Sequence, residues 1–313
     1  MIRISNIKYP IELAEENLPQ FTEKKYKTGK IKDFRIVKQS IDARKKNDIH
    51  YVYTIDIAVD NESKLLKRLK NASIAENKIY IPVGGRVPEK PVVIAGFGPA
   101  GIMCAHTLVS NGCPVIVLER GCDADTRIRD VDRLRNEGVL NPESNVQFGE
   151  GGAGTFSDGK LTTGVNDKRI AYVLNQFVKH GAPHEIEFRA KPHIGTDNLV
   201  EMVKSFRKDI EERGGEIRFS SRLEDIITSG GRIKGVRIAS PDGEYEIETD
   251  NLVIATGHSA RDTFKMLKNA GASMERKVFA VGARIEHIQD AIGRAQYGEM
   301  YSILPAADYK LSV

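Results

Sequence analysis

The stretch Val92–Gly121, VVIAGFGPAGIMCAHTLVSNGCPVIVLERG, carries the pattern that decides the fold of this 313-residue chain. The apolar run Val92–Ala95 predicts a buried strand. An apolar helix pattern follows and ends at Asn111-Gly112, and a second apolar strand covers Pro114–Leu118. A strand, a helix and another strand in succession predict a βαβ unit with a parallel sheet.

Three glycines, Gly96, Gly98 and Gly101, form a G-x-G-x-x-G turn between the first strand and the helix. In such a turn the first glycine permits the tight bend, the second lets backbone approach a pyrophosphate, and the third lets helix and sheet pack closely. The helix N-terminus then offers N–H groups to phosphates. Glu119 lies 18 residues after Gly101, at the end of the next strand, where a carboxylate accepts ribose hydroxyls. We predict a dinucleotide site; the alternative is a turn with a purely structural role.

Composition and charge fit an ordinary folded protein with a net charge of +4. Residues 1–90 carry 19 Lys and Arg against 12 Asp and Glu, a balance of +7, which leaves −3 for the remainder. A basic N-terminal part can attract an acidic partner, although a solvated lysine-rich surface is the simpler interpretation.

The three cysteines, Cys104, Cys113 and Cys122, are odd in number and form no C-x-x-C. This usage argues against a disulfide scaffold, a zinc site and a redox-active disulfide of the usual spacing. The sequence shows no signal peptide and no run of about 20 apolar residues. We therefore expect a cytoplasmic protein without a membrane partner.

Residues 1–83 predict a small ferredoxin-like α+β domain with the order β-α-β-β-α-β. The predicted strands are Ile2–Ile7, Ile31–Ile41, Asp48–Asp60 and Lys78–Val83, with helices after Pro10 and Asn61. Tyr51 and Tyr53 could stack nucleic-acid bases. They share a strand face with isoleucines, so we interpret them as core and expect no nucleic-acid partner. The role of this domain stays open.

A second glycine-rich stretch, Asn145–Leu161, reads NVQFGEGGAGTFSDGKL. It matches G-x-G-x-x-G and G-x-x-x-x-G-K, but it lacks the flanking strand and helix, and Leu161 replaces the Ser or Thr that holds Mg²⁺. We interpret it as a loop whose backbone lies against a flat or anionic ligand; the alternative is a flexible structural loop. On the charged helix before it, Arg127 is expected near ribose or phosphate.

The rest of the chain completes an α/β fold: a Rossmann-like domain over residues 92–275 with an inserted antiparallel β-meander. Residues 84–91 form a linker, and residues 276–313 begin a further domain with a strand at Phe279–His287, on which Arg284 and Glu286 share a face. The predicted later strands are Glu216–Phe219, Leu223–Thr228, Ile233–Ala239, Glu244–Glu248 and Asn251–Gly257. Ser259 and Asp262 read as a capping box, and Thr196 as a helix cap.

His180, His184 and His193 have no metal-ligand spacing, so no metal site is predicted. His258 is a better site candidate, because it follows the carboxyl end of a strand, where open α/β sheets place ligands.

The order of Val92–Glu119, the meander and Val253–Gly257 resembles that of two-dinucleotide-binding flavoproteins, the glutathione-reductase-like class. More narrowly, Asn145–Leu161, residues 255–262, residues 281–287 and residues 307–311 resemble a family of poorly characterised FAD-dependent dehydrogenases. The resemblance implies that Glu119 holds the ADP ribose of FAD and that backbone near Leu223 lies against adenine. The residue patterns and the resemblance together predict cofactor contacts from Gly96, Gly98, Pro99, Ala100, Gly101, Glu119, Arg120, Arg127, Gly151, Gly152, Ala153, Gly154, Thr155, Leu223, Thr256 and Gly257.

The function predicted from the sequence is an FAD-dependent oxidoreductase that transfers hydride to or from flavin, with NAD(P)H as a candidate reductant. Lys160 and His258 are the candidate catalytic residues. Two alternatives stay open: an NAD-dependent dehydrogenase, and a non-catalytic nucleotide-binding module whose basic N-terminal domain engages a partner. The small-molecule substrate, the electron donor and the oligomeric state are not predicted.

Flavoproteins of this class contribute a second glycine-containing FAD contact near the C-terminus, and nothing after Gly257 matches it. The sequence ends at Leu311–Val313 within a strand pattern, so we expect a chain that lacks its C-terminal portion. FAD should therefore bind weakly. The absorbance spectrum of the purified chain measures this, and stoichiometric bound FAD would contradict it.

Overall fold

The computed structural model describes residues 1–76, 80–157, 159–279, 281–283 and 285–309. These residues divide into two compact units. Unit 1 contains the N-terminal residues to 76, residues 187–192 and the described residues from 277 onward; unit 2 contains residues 80–186 and 193–276. Both parallel and antiparallel sheets are present, so the fold is mixed α/β as predicted.

Unit 1 is built on a four-stranded antiparallel sheet in the order β2-β3-β1-β4. Its elements are β1 (Ile2–Pro10), α1 (Leu18–Tyr26), β2 (Asp33–Asp42), β3 (His50–Ala58), α2 (Glu62–Arg68) and β4 (Ala72–Ile74). The order of elements is the predicted one, but the last strand is misplaced in the prediction. It lies at β4 rather than at Lys78–Val83, of which residues 80–83 form no strand and residues 77–79 lie outside the described residues.

Alternate residues of each strand share one face of this sheet, because neighbouring residues of a strand point to opposite faces. One face packs Ile4, Ile55 and Ile57 against Leu18 of α1 and Leu65 of α2. Tyr53 belongs to this core and is 1% exposed, so its ring offers no surface for base stacking. Another cluster joins residues of the sheet to α8 (Gln289–Tyr297), an element that the sequence analysis did not predict.

Unit 2 contains a four-stranded parallel sheet in the order β11-β5-β6-β7 and a separate antiparallel meander in the order β10-β9-β8. Its strands are β5 (Val92–Ala95), β6 (Val115–Leu118), β7 (Glu216–Arg218), β8 (Arg222–Ser229), β9 (Arg232–Ser240), β10 (Gly243–Glu248) and β11 (Leu252–Ile254). Its helices are α3 (Pro99–Ser110), α4 (Ala124–Glu137), α5 (Arg169–Lys179), α6 (Thr196–Glu212) and α7 (Arg261–Asn269). The predicted meander and the predicted βαβ unit are both present.

Alternation along β5 explains why this sheet lies between two layers. Val92 and Ile94 face a cluster that includes Phe206 and Ile210 of α6. Val93 and Ala95 face the opposite cluster, which the meander supplies with residues such as Val236. All four residues of β5 are buried, as expected for a strand covered on both sides.

Three local predictions are wrong. Residues 285–287 and the described part of 279–283 form no strand, and Ala280 and Arg284 lie outside the described residues. Ser259 and Asp262 do not form a capping box, because Ala260 is the N-cap of α7 and makes no side-chain cap bond. Thr196 is the first residue of α6 rather than its cap, and its hydroxyl donates to the Ser157 carbonyl at 2.9 Å.

Cys104, Cys113 and Cys122 are all free thiols. Among the described residues, no helix combines the length and the apolarity needed to cross a bilayer.

Helix α3 packs so closely on the turn before it that Gly101 has no room for a side chain. A Cβ at Gly101 would lie 1.9 Å from the carbonyl oxygen of Gly96. We expect Gly101→Ala to lower the free energy of unfolding by about 2 kcal/mol or more, because backbone must move to relieve the overlap. Urea denaturation measures this loss. Gly164→Ala is the matched control, since a Cβ there meets nothing within 4 Å; equal losses in the two variants would contradict the packing argument.

Candidate functional site

A cavity of about 350 Å³ lies at the carboxyl edge of the parallel sheet in unit 2. Three strand ends meet there: β5 continues into the turn at Gly96, β6 into Glu119, and β11 into Thr256. The walls are completed by the loop of residues 145–157 and by the start of β8 at Leu223. The carboxyl ends of parallel strands in an open α/β sheet are where ligands bind, so the location matches a ligand site.

The turn between β5 and α3 brings backbone to the cavity wall. Gly96 has a φ of +106°, and a Cβ there would lie 2.5 Å from the carbonyl oxygen of Ala255. Gly98 is the N-cap of α3, with Pro99 at its first turn, and Gly98, Pro99 and Ala100 line the cavity. The first N–H groups of a helix have no partner within it, and they carry the positive end of the helix dipole. This wall therefore favours an anion.

Glu119 is the carboxylate at the centre of the site, and it is 4% exposed. Its Oε2 accepts the N–H of Phe97 at 2.8 Å. Its Oε1 accepts the N–H groups of Gly121 and Gly149, both at 2.9 Å. An ionised carboxylate has about four acceptor positions. Glu119 thus ties the turn, the end of β6 and the 145–157 loop together and keeps capacity at Oε2 for a ligand hydroxyl.

The 145–157 loop is held against that turn by backbone. The N–H of Gly151 donates to the carbonyl of Phe97 at 2.9 Å, and a Cβ at Gly152 would lie 3.0 Å from the Cα of Gly98. Residues 152–156 form a 3-10 turn, and Gly152, Ala153 and Gly154 line the cavity. Glycine is required where two backbones approach this closely.

Arg127 is 0% exposed and holds the backbone of the loop by hydrogen bonds. Its guanidinium donates to the carbonyls of Asn145, Glu150, Val146 and Gly149, at 2.8, 2.6, 3.1 and 3.3 Å. Burial lowers the pKa of Arg127 to about 10, so the group stays protonated at neutral pH. Arg127 does not line the cavity, and its expected position near ribose or phosphate stays a prediction.

Glu150 is the buried acidic partner of this arrangement and is also 0% exposed. Its Oε2 accepts the N–H of Ala124 at the start of α4, at 2.7 Å, and its Oε1 pairs with Arg207 Nε at 3.2 Å. Burial raises the pKa of the Glu150 carboxyl. The loop is therefore fixed at its centre by a buried arginine and a buried glutamate.

A cationic and aromatic group lies on the β6 and β8 side of the cavity. Arg120 lies over the ring of Phe148, with 4.4 Å between the guanidinium carbon and the ring centroid, and it pairs with Asp262. Arg222 pairs with Glu143 at 2.7 Å. Arg120, Phe148 and Arg222 all line the cavity and together offer flat surfaces and positive charge.

Most of the predicted cofactor residues come together. Those that line the cavity are Gly96, Gly98, Pro99, Ala100, Glu119, Arg120, Gly152, Ala153, Gly154, Leu223, Thr256 and Gly257. Gly101, Arg127, Gly151 and Thr155 do not line it; they hold its walls in place. Thr155, for example, donates its hydroxyl hydrogen to the carbonyl of Glu150 at 3.1 Å.

The two candidate catalytic residues are placed differently. His258 lines the cavity, and its Nε2 lies 3.3 Å from the hydroxyl of Ser259, which also lies 3.3 Å from Gln147 Oε1. Lys160 does not line the cavity, and its backbone forms an isolated antiparallel bridge with His193.

Four residues that the sequence did not place in the site also line the cavity: Gln147, Phe148, Ser221 and Ser259. Gln147 and Phe148 lie within the glycine-rich stretch Asn145–Leu161, so the sequence could have predicted that they line the site. Ser221 and Ser259 are brought in by the ends of separate strands, and their spacing along the chain carries no sign of it.

Two family models match parts of the chain. Residues 278–313 match "FAD-dependent protein, C-terminal domain-like", and residues 1–58 match "Domain of unknown function (DUF8436)". The C-terminal match makes the chain similar to FAD-dependent proteins. The alternative of an NAD-dependent dehydrogenase finds no support in these two matches.

Among relatives, an uncharacterised protein of Clostridium beijerinckii is 43% identical over 99% of this chain and 59% of its own length. A digeranylgeranylglycerophospholipid reductase of Haloferax volcanii is 28% identical over 54% of this chain and 36% of its own length. The chain thus spans only about one-third to three-fifths of these relatives. A solved structure of THI4 from Thermovibrio ammonificans is 18% identical with a TM-score of 0.40, and the match covers 59% of this chain and 64% of that one.

The contacts of Arg127 predict a large effect of its removal. Arg127→Gln should lower the free energy of unfolding by about 3 kcal/mol or more, because four buried carbonyls lose their donor and Glu150 loses a nearby positive charge. Chemical denaturation measures this.

Arg129→Gln is the matched control on the same helix. Arg129 is exposed and donates to the hydroxyl of Thr126 at 3.0 Å, so its loss should cost less than about 0.5 kcal/mol. Similar losses in both variants would show that the loop does not depend on Arg127.

Proposed function

We propose that this chain is the FAD-binding part of an FAD-dependent oxidoreductase, with the cavity of unit 2 as the site for the ADP half of the cofactor. The observation that carries the proposal is the position of Glu119, a buried carboxylate with acceptor capacity left, beside the N-terminus of α3. A ribose and a pyrophosphate need these two features side by side. The C-terminal match to FAD-dependent proteins independently favours FAD.

The chemistry of the cavity walls supports this assignment. Gly98 and Ala100 would receive the pyrophosphate on helix N–H groups, and Glu119 Oε2 would accept a ribose hydroxyl. Leu223 offers an apolar contact for adenine, and the 145–157 loop would cover the cofactor with the backbone of Gly152–Gly154. A bound flavin supplies two-electron chemistry, whereas the protein binds and orients it and controls access of water.

We propose hydride transfer as the reaction. His258 is the residue that we expect to lie closest to the reacting groups. His258 follows β11 and lines the cavity. Lys160 does not line the cavity, and its backbone pairs with that of His193. We therefore keep His258 as the first candidate for proton transfer or substrate positioning, and Lys160 as the second. We also propose NAD(P)H as the reductant and a reducing, cytoplasmic location. For unit 1 we propose a ferredoxin-like fold.

Relatives indicate the range of reactions. The matches include a digeranylgeranylglycerophospholipid reductase and, at 21% identity, an NADH:fumarate oxidoreductase of Klebsiella pneumoniae. One name states a reductase and the other an oxidoreductase, and the substrates in the two names differ. We propose a reductase or dehydrogenase reaction and leave the substrate to experiment.

Titration of the purified chain with FAD, followed by flavin absorbance and fluorescence, tests the cofactor. Gly98→Ala is the decisive variant. Gly98 has φ −79° and ψ −176°, a conformation open to any residue, and a Cβ there would lie 3.7 Å from Gly152 Cα, an ordinary contact. The variant should therefore fold normally, while the added methyl group on the cavity wall keeps phosphate from the backbone.

We expect Gly98→Ala to weaken FAD binding at least about 10-fold, a loss of about 1.4 kcal/mol, with an unchanged thermal unfolding curve. Gly85→Ala, in open space outside the cavity, should change neither quantity. Binding of NADH with no binding of FAD would reject the flavoprotein proposal in favour of the nicotinamide alternative. Equal FAD affinity for Gly98→Ala and the parent chain would move the cofactor away from this cavity.

A further inference from the structure

A separate cluster of ligating side chains lies in unit 2, outside the cavity. His106 belongs to α3, His180 is the C-cap of α5, and Asp209 belongs to α6. Their ligand atoms all lie within 4.8 Å of one another, which makes this the group with metal-binding geometry in the part of the chain that the structure describes. The sequence gives no sign of it, because the three residues are far apart along the chain.

The separations match a metal polyhedron. His106 Nε2 lies 3.1 Å from Asp209 Oδ2, and His180 Nε2 lies 3.6 Å from the same oxygen. The edge of a tetrahedron with metal–ligand bonds of about 2.0–2.1 Å is about 3.3 Å. The two histidine–aspartate distances lie on either side of that edge, and the three ligand atoms all lie within 4.8 Å of one another.

The tautomer of His180 supplies a second, independent observation. Its Nδ1 lies 2.8 Å from the carbonyl oxygen of Gln176. A carbonyl can only accept, so Nδ1 carries the hydrogen, and in the neutral ring Nε2 presents a lone pair towards Asp209. The repulsion between that lone pair and the carboxylate is relieved either by a proton on Nε2 or by a metal cation between the two groups. A backbone carbonyl that holds the far nitrogen of a histidine is also the usual support of a metal ligand.

His106 holds the hydrogen that a metal ion would replace. Its Nε2 donates to Asp209 Oδ2 at 3.1 Å, and its buried Nδ1, which has no hydrogen-bond partner among the described residues, can carry the hydrogen when Nε2 binds a metal ion. The ring is held in position by edge contacts with His180 and Phe206, at centroid distances of 5.2 and 5.4 Å. Stacking of His180 on Phe206 at 3.7 Å fixes the second ring.

We propose that His106, His180 and Asp209 bind one divalent transition-metal ion, of the Zn²⁺ class, with water as the fourth ligand. Two imidazoles and one carboxylate form a donor set that suits such ions and not Ca²⁺ or Mg²⁺. The side chain of Asp209 is 24% exposed, which leaves a path from solvent and a place for the water. The ion would join α3, α5 and α6 on one face of the parallel sheet.

Arg213 is the charged group that competes for this position. Its Nε donates to Asp209 Oδ2 at 2.9 Å, and its side chain is 46% exposed. The metal must share or displace that contact. Removal of Arg213 should therefore strengthen metal binding, whereas an ordinary surface ion pair predicts no metal response at all.

Isothermal titration of the chelator-treated, dialysed chain with Zn²⁺ tests the site, and Co²⁺ absorbance in the visible range reports tetrahedral coordination. We expect one equivalent of Zn²⁺ and a melting temperature that rises with Zn²⁺ concentration. His180→Gln and Asp209→Asn should weaken binding by more than about 100-fold, beyond the 10- to 100-fold that loss of an outer partner causes. Arg213→Gln should strengthen it roughly 10-fold.

His184→Gln is the matched control, because His184 is an exposed histidine outside the cluster, and it should bind Zn²⁺ as the parent does. Circular dichroism checks that each variant is folded, and Asp209→Asn decides the outcome if a histidine variant does not fold. No Zn²⁺ binding by the parent, or unchanged binding in folded Asp209→Asn, would overturn the proposal.

Discussion

The arrangement of unit 2 depends on one buried carboxylate. Glu119 accepts N–H groups from Phe97, Gly121 and Gly149, which belong to three separate segments of the chain. Charge-assisted bonds of this kind are roughly twice as strong as neutral ones. A group that satisfies three backbone donors fixes where the segments lie relative to one another. The three segments line the cavity, and their hydrogen bonds to Glu119 fix their positions around it.

A buried cation fixes the 145–157 loop. Arg127 donates hydrogen bonds to four carbonyls of that loop, and Glu150 within the loop accepts the N–H of Ala124 at the start of α4. The loop is glycine-rich, and the hydrogen bonds from Arg127 to its carbonyls fix the path of its backbone. Its glycines then let it approach the β5–α3 turn. The loop thus supplies one wall of the cavity, while Arg127 of α4 and Glu150 of the loop itself hold that wall in place.

Sequence patterns predicted the local elements well where a short period carries the information. The apolar run of β5, the glycine spacing before α3 and the three strands of the meander follow directly from neighbouring residues. Two local predictions failed, and in one of them a long-range contact takes the place of the predicted local one. Phe279–His287 alternates like a strand, yet no strand forms among its described residues. Ser259 and Asp262 have capping-box spacing, but Asp262 pairs with Arg120 instead.

By itself, the sequence determined the βαβ unit, the meander and the position of Glu119 at a strand end, because periodicity and glycine spacing act over a few residues. Only the tertiary structure decided what Arg127 does, since a charged helix residue gives no sign that four carbonyls will enclose it. The tertiary structure alone also brought His106, His180 and Asp209 together. Helices that pack on one sheet face juxtapose residues whose separation along the chain is unrelated to their distance in space.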